Sequence, residues 1–148
     1  MLAVSPVSLA TDLTLILPDR IGSLAETTRL LARAGINIIG HGGFPAWAGE
    51  GILHLVVDDP ARAVSALHAA NIEVREERQV LVVPVDDHPG SLAAAFECIA
   101  AQGVNVDLTY ALADARVVIG VDDVARARRA LDSQLVGGEG FEPPTSSV

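Results

Sequence analysis

Two short stretches of the chain combine residue types that could hold a small charged molecule. Residues 19–24 and 87–92 share an aspartate, a glycine, a serine and a leucine in register, and each lies between an apolar strand and a predicted helix. A glycine at a helix start lets unpaired backbone N–H groups approach a ligand carboxylate, and the helix dipole favours the negative charge. Gly22 and Gly90 could therefore bind a carboxylate group.

The aspartates of these stretches have two readings. Asp19 and Asp87 are the nearest anions for the ammonium group of a ligand. An aspartate before a helix can equally accept hydrogen bonds from the N–H groups of its own first turn. The residue types allow both roles, ligand partner and helix cap.

The spacing of the two stretches indicates an internal duplication. Their glycines lie 68 residues apart (90 − 22), and the same offset relates residues 34–38 to 102–106, each with a Gly-(Ile/Val)-Asn-(Ile/Val) pattern. A second shared block, Val-Asp-Asp, occurs at 57–59 and 121–123, which are 64 residues apart (121 − 57). The chain is therefore two copies of one unit, with a shorter connection in the second copy.

Each copy reads as strand, helix, strand, strand, helix, which is the split βαβ pattern of ferredoxin-like folds. Asp59 before Pro60 predicts a helix cap followed by proline at the first helical position. Residues 72–78 alternate apolar and charged side chains like a fourth strand. The predicted strands are 12–17, 36–40, 52–57, 72–78, 80–85, 104–112 and 115–121, and the predicted helices are 21–34, 60–70, 89–102 and 123–132.

We therefore predict an α+β protein of two βαββαβ repeats that pair side by side into one extended antiparallel sheet, with helices on one face. The last strand of the second repeat is expected to be missing. The predicted boundaries are a flexible leader over 1–10, repeat 1 over 11–78, repeat 2 over 79–136 and a disordered tail over 137–148. The tail has no apolar period, and because the repeat breaks off at residue 135, we hypothesise that the tail is not part of the native gene product.

Composition excludes several classes of partner. The chain has 148 residues, a net charge of −9 and no lysine among its ten basic residues, so no basic patch for nucleic acid or an anionic membrane is expected. A single cysteine, Cys98, leaves no internal disulfide and suits the cytoplasm. No apolar run approaches the roughly 20 residues of a membrane span. Repeats this small bury little surface, so they are expected to share an interface, or the chain to dimerise.

Other candidate groups are weaker. The histidines at positions 41, 54, 68 and 88 lack ligand spacing, so neither a metal site nor a cofactor is predicted. Trp47, in a glycine-rich turn, could cover a ligand or a partner surface, but it is predicted to cover its own hairpin. Cys98 is most simply a small core residue.

A strand followed by Asp-x-Pro-Gly-x-Leu and a helix ending in Gly-(Ile/Val)-Asn-(Ile/Val) resembles the ACT domain, a small regulatory module that binds amino acids. Both copies resemble it, over about residues 11–135. The segment from Gly35 to Asp59 is similar to small stand-alone tandem ACT proteins of GC-rich bacteria. The first copy departs from the pattern because Ile21 stands where proline is usual.

The resemblance implies that an amino acid is held at an interface shared by the two copies. By this analogy Asp19 and Gly22 would face Asn105, and Asp87 and Gly90 would face Asn37. Each asparagine could instead be an ordinary residue at the start of a strand. The implied ligand-binding residues are Asp19, Arg20, Ile21, Gly22, Asn37, Asp87, His88, Pro89, Gly90 and Asn105.

The resemblance thus implies a cytoplasmic, non-enzymatic regulatory protein that binds an amino acid or a similar molecule and passes the signal to a partner such as a metabolic enzyme. The alternative is a dimerisation or regulatory subunit of an enzyme without a small ligand. An acylphosphatase-like hydrolase would need an arginine in the first loop; Arg20 is present, but the second copy has His88 there. The fold alone does not decide among these functions.

Overall fold

The computed structural model describes residues 7–135, and the side chains of residues 7–134. The tail predicted over 137–148 lies outside the described residues. The described elements are β1 (Ser8–Pro18), α1 (Ser23–Arg33), β2 (Ile38–Pro45), β3 (Glu50–Val57), α2 (Pro60–Ala69), β4 (Glu73–Pro84), α3 (Ser91–Ala100), β5 (Val106–Leu112), β6 (Arg116–Val121) and α4 (Val124–Leu135). None of the described helices is long and apolar enough to cross a membrane.

The chain forms two compact units. One unit, called here the repeat 1 unit, comprises residues 11–78, and the repeat 2 unit comprises the described residues 7–10 and 79–135. The loose leader predicted over residues 1–10 differs from the structure at its end, because β1 already begins at Ser8. Val7 is buried in the apolar core of the repeat 2 unit, together with Leu81 and Val83. Burial of this apolar side chain explains why the start of β1 is ordered within that unit.

The cores follow from the alternation of the strands and the apolar faces of the helices. In the repeat 1 unit, Leu13, Leu15 and Leu17 of β1 pack with Leu31 of α1 and Leu67 of α2. In the repeat 2 unit the corresponding core contains residues of β4, α3, β6 and α4, among them Leu81, Val83, Ile99, Ile119 and Leu131. Each repeat therefore has an apolar core of its own.

The strands pair in the same way in both repeats. In the repeat 1 unit β3 pairs antiparallel with both β1 and β2, and in the repeat 2 unit β6 pairs in the same way with β4 and β5. The β2–β3 register shifts between Ile38 and Gly40, and the β5–β6 register shifts between Val106 and Leu108. The irregularity thus occurs at equivalent positions of both copies.

The Asp-Pro prediction for α2 is confirmed. The backbone N–H of Arg62 donates to the Asp59 carboxylate at 3.1 Å, and Pro60 occupies the first helical turn. In the other repeat the N–H of Arg126 donates to Asp123 at 3.0 Å. The second aspartate of each Val-Asp-Asp block is therefore a helix cap.

The expectation of one open, extended sheet was wrong. The six described strands follow the closed order β1-β3-β2-β5-β6-β4. β1 and β4 have 11 and 12 residues, but their pairing with β3 and β6 uses only Asp12–Pro18 and Leu81–Pro84. The strands are therefore longer than these pairings require, and closure of a sheet pairs the backbone groups that open edge strands leave unbonded.

Candidate functional site

The loop between β1 and α1 ends in a glycine whose backbone conformation is easily adopted only by a residue without a side chain. Gly22 precedes the first residue of α1 with φ 91° and ψ −10°, and its carbonyl accepts a hydrogen bond from the N–H of Glu26 at 2.9 Å. Gly90 precedes α3 with φ 90° and ψ −15° and accepts from Ala94 at 2.9 Å. Left-handed backbone of this kind is strained for residues with a Cβ. The glycines therefore set the direction in which each helix starts.

The first turn of α1 keeps unpaired donors. The N–H of Ser23 donates to the Arg20 carbonyl at 3.3 Å, whereas the N–H groups of Leu24 and Ala25 have no acceptor among residues 7–135. Free N–H groups in the first turn are a general feature of helices, and they favour an anion. The first turn of α1 therefore has free N–H groups that could bind a carboxylate, as predicted, but their binding to a ligand stays a prediction.

The capping interpretation of the two aspartates was wrong. α1 and α3 begin without a side-chain cap. The carboxylates of Asp19 and Asp87 are exposed, and neither forms a hydrogen bond or an ion pair with residues 7–135. The backbone N–H of Asp19 instead donates to the Gly49 carbonyl at 2.8 Å, which ties this loop to the β2–β3 turn. Because the glycines carry the left-handed turn themselves, each helix starts four residues after its aspartate.

Arg20 is held across the turn of repeat 1. Its guanidinium donates to the Glu26 carboxylate at 2.8 Å and to the carbonyl of Ile21 at 3.2 Å. The hydrogen bond and the charge of the partner raise the pKa of Arg20 and lower the pKa of Glu26. The Ile21 side chain is fully exposed. The guanidinium of Arg20 is therefore a positive charge held in place at the β1–α1 loop.

The equivalent loop of repeat 2 is arranged differently. His88 occupies the position of Arg20, and its Nδ1 lies 2.8 Å from the hydroxyl of Ser91. Its Nε2 also lies 3.7 Å from the Asp86 carboxylate. Pro89 replaces the exposed Ile21. His88 thus makes its contacts inside its own loop.

The asparagines are bonded through their backbones. The N–H of Asn37 donates to the Asp58 carboxylate at 3.0 Å, and the N–H of Asn105 donates to Asp122 at 3.0 Å. Both asparagines are exposed. The first aspartate of each Val-Asp-Asp block therefore fixes the start of β2 or β5, a role that the sequence analysis missed. The predicted pairing of each loop with the asparagine of the other repeat stays a prediction.

A cleft of about 730 Å³ opens beside the β1–α1 loop within the repeat 1 unit. Asp19, Arg20 and Ser23 line it at the loop, and α1, β2 and β3 form its walls. Its volume lies within the range of small-molecule sites, which is roughly 300–1,000 Å³. Asp19 and Arg20 are the predicted site residues that line this cleft; Ile21, Gly22 and Asn37 do not.

Sequence reasoning also missed a buried polar cluster in the repeat 1 unit. The Asp12 carboxylate is fully buried, and it lies 2.9 Å from Nδ1 of His54 and 3.3 Å from the hydroxyl of Thr14. Nothing in the sequence pairs residues that are 42 positions apart; only the register of β1 and β3 does. Among the described residues, no group of three or more histidine, cysteine or acidic side chains could hold a metal ion.

The expected position of Trp47 was wrong as well. Its side chain is 86% exposed, so it does not cover its own hairpin. Cys98 is partly buried and packs against the core of the repeat 2 unit, as a small core residue would.

The tandem arrangement and both glycine-opened loops agree with a family pattern. The model of the family described as "ACT domain pair" matches residues 9–135. The chain belongs to the ACT domain pair family. The resemblance stated from the sequence is thereby confirmed, and the two units are ACT repeats.

Solved structures share the fold of this ACT pair. A protein of Bacteroides thetaiotaomicron is 28% identical, with a TM-score of 0.79, over 88% of this chain and 91% of that chain. The ligand-free regulatory subunit of aspartate kinase from Thermus thermophilus is 23% identical, with a TM-score of 0.64, over 86% of this chain and 95% of that chain. The corresponding subunit from Thermus flavus is 24% identical, with a TM-score of 0.59 and the same coverage. No curated protein sequence matches this chain.

Proposed function

We propose that this ACT pair is a non-catalytic regulatory protein that binds an amino acid at the β1–α1 loop of repeat 1. The observation that carries the proposal is the unpaired Asp19 carboxylate at the edge of a cleft of about 730 Å³. Membership of the ACT domain pair family supports a regulatory role. The finer assignment, an amino-acid ligand, rests on the chemistry of the loop.

An amino acid carries one positive and one negative group, and the loop offers a complement for each. Asp19 would accept hydrogen bonds from the α-ammonium group, since its carboxylate has no described protein partner. The free N–H groups of Leu24 and Ala25 would donate to the α-carboxylate, with the positive end of the helix dipole behind them. Arg20, fixed by Glu26, adds a positive charge at the same end.

The proposed partner is a metabolic enzyme on a separate chain. Two of the solved structures with this fold are regulatory subunits of aspartate kinase. Those relatives support the idea that an ACT pair acts on an enzyme in trans. We extend it to this chain as a proposal, without naming the enzyme.

The experiment is a thermal shift measurement on the full chain with each of the twenty amino acids at millimolar concentration. A ligand at ten times its Kd stabilises the folded state by about 1.4 kcal/mol, which raises Tm by roughly 3 to 6 °C for a chain of this size. Asp19→Asn should abolish the shift, because a neutral amide gives up the charge that attracts the ammonium group. Glu97→Gln, which removes an exposed carboxylate of α3, is the matched control and should leave the shift intact.

If none of the twenty amino acids raises Tm, the proposed function is wrong. Asn105→Ala and Asn37→Ala test the further prediction that each asparagine completes the site of the other repeat. Loss of ligand affinity in Asn105→Ala supports a ligand shared between the repeats. Unchanged affinity in both variants means that the loops bind without the asparagines.

One observation favours the alternative, a regulatory or dimerisation subunit that acts without a small ligand. Ile21, Phe44 and Trp47 are 100%, 51% and 86% exposed in the repeat 1 unit. Exposed aromatic and aliphatic side chains are typical of surfaces that contact another protein. An enzyme partner that copurifies from native cells, with an affinity unaffected by every amino acid, would support this alternative.

A further inference from the structure

We infer that the cleft of the repeat 1 unit selects an amino acid with a large apolar side chain, aliphatic or aromatic. The inference rests on the proposed function and adds the class of ligand to it. It depends on three features of the cleft: its walls, the position of its polar groups and the glycine in β2.

The walls of the cleft are apolar. Leu17, Leu53 and Leu55 are at most 5% exposed and form part of its lining. Ile38 and the exposed Leu24 of α1 complete the apolar surface. A ligand side chain that enters this space displaces water from the apolar side chains of the cleft. Each buried methylene then improves Kd by about fourfold.

The polar groups are gathered at the loop. Asp19, Arg20 and Ser23 line the cleft where α1 begins. Farther along, the Thr28 hydroxyl donates to the Leu24 carbonyl at 2.8 Å, and His41 is the remaining titratable side chain of the lining. A charged ligand side chain would lose its hydration against apolar walls with few partners. The arrangement therefore suits a polar head held at the loop and an apolar side chain held between α1 and the sheet.

Ser23 adds a polar group at this end of the cleft. Ser23 is 7% exposed and lines the cleft, and its hydroxyl has no hydrogen-bond partner among residues 7–135. The equivalent hydroxyl of Ser91 contacts His88 at 2.8 Å. Although Ser23 is largely buried, its hydroxyl oxygen is open to solvent, since no buried side-chain polar atom of the described residues lacks a partner. In repeat 1 the position of its partner is open to a ligand carboxylate.

Gly43 sets the size of the space. It lies in β2 opposite Leu53, and a Cβ at this position would come 3.4 Å from the Cδ1 atom of Leu53 and 3.6 Å from the Ile52 carbonyl. Repeat 2 has Ala111 opposite Val117 at the equivalent position of β5. A methyl group at position 43 is therefore compatible with the strand, but it takes up volume beside the wall. The absence of a side chain makes Gly43 a specificity-determining residue.

The experiment is isothermal titration of the full chain with glycine, alanine, leucine, phenylalanine, aspartate and lysine. Leucine or phenylalanine should bind more tightly than alanine by at least an order of magnitude, because several methylene equivalents are buried. Gly43→Ala should weaken leucine and phenylalanine more than alanine, by about fourfold or more. Ser23→Ala should weaken all three without changing their order.

Ala111→Gly, the reverse change in repeat 2, is the matched control and should leave the preference unchanged. Urea unfolding of each variant checks that it is folded. Tightest binding of glycine, aspartate or lysine, abolished by Asp19→Asn, would overturn this inference and keep the proposed function. An unchanged preference in a folded Gly43→Ala variant would also overturn it. Absence of binding by all amino acids would remove the proposed function itself.

Discussion

The hydroxyl of Ser91 lies 2.8 Å from Nδ1 of His88, whereas its counterpart Ser23 has no hydrogen-bond partner in the described part of the chain. The two serines occupy the same position of the duplicated turn and are both buried. The difference follows from the residue three positions earlier. Arg20 extends to Glu26, while His88 is short enough to stay beside the serine.

This difference predicts unequal costs when each serine is changed. Ser91→Ala should lower the free energy of unfolding by about 1 kcal/mol, because it removes a partly buried hydrogen bond. Ser23→Ala should cost less, since no protein hydrogen bond is lost. Urea unfolding of both variants without ligand measures the difference. Equal losses would mean that the Ser91–His88 contact contributes nothing to stability.

Asp59 and Asp19 should differ in how much each contributes to the free energy of unfolding. Asp59→Ala should lower the free energy of unfolding by about 1 kcal/mol, because Asp59 caps α2. Asp19→Ala should change it by less than about 0.5 kcal/mol, as expected for an exposed side chain without contacts. Chemical denaturation of the two variants provides the comparison. A large loss in Asp19→Ala would restore the capping interpretation that the geometry rejects.

The glycines before α1 and α3 should tolerate no side chain. Gly22→Ala and Gly90→Ala should each cost about 1 to 2 kcal/mol, because alanine is strained at a φ near 90°. Gly43→Ala is a useful comparison, since Gly43 does not have a positive φ. Thermal unfolding of the three variants measures the costs. If Gly43→Ala were the most harmful change, backbone strain would not explain the glycines of the loops.

The buried cluster of Asp12, His54 and Thr14 should be sensitive to removal of its acceptor. Asp12→Ala leaves buried donors unsatisfied and should lower the free energy of unfolding by about 1 to 3 kcal/mol. Asp12→Asn keeps one acceptor oxygen and should cost less. Urea unfolding of the pair distinguishes the loss of the acceptor from the loss of the charge. A smaller loss in Asp12→Ala than in Asp12→Asn would contradict this account.

The thiol of Cys98 should react slowly near neutral pH. Burial raises its pKa above the ordinary value of 9.0, and its Sγ donates to the Ala130 carbonyl at 3.4 Å. Alkylation by iodoacetamide should therefore reach half of its maximal rate at a higher pH in the folded chain than in urea. Because the folded state holds this proton more tightly, the thiol stabilises the fold below the unfolded pKa. That contribution should be lost as pH rises through the folded pKa. The chain has one cysteine, so the signal has a single source.

Local signals in the sequence predicted the elements well. The Asp59-Pro60 pair fixed the start of α2, since a capping carboxylate and a proline both act within one helical turn. The shared turns at Gly22 and Gly90 revealed the duplication and the family, because a backbone φ near 90° strongly favours glycine. Asp19 and Arg20 were predicted as site residues because they belong to the turn that ends at Gly22, and both line the cleft.

The errors concern relations between distant residues. Asp19 matched the capping pattern, but the helix begins after Gly22 and leaves the carboxylate unbonded. The contact of Asp12 with His54 depends on strand register, and the role of Gly43 depends on the position of Leu53 across the β2–β3 pair.

By itself, the sequence determined the repeat, the helix starts and the residue types of the loops, since these depend on backbone preferences and spacing within a few residues. The tertiary structure alone decided the closed order of the strands, the cleft and the contact of Asp12 with His54. Those features arise from long strands and side chains that meet only after folding, so their energies depend on atoms far apart in the chain.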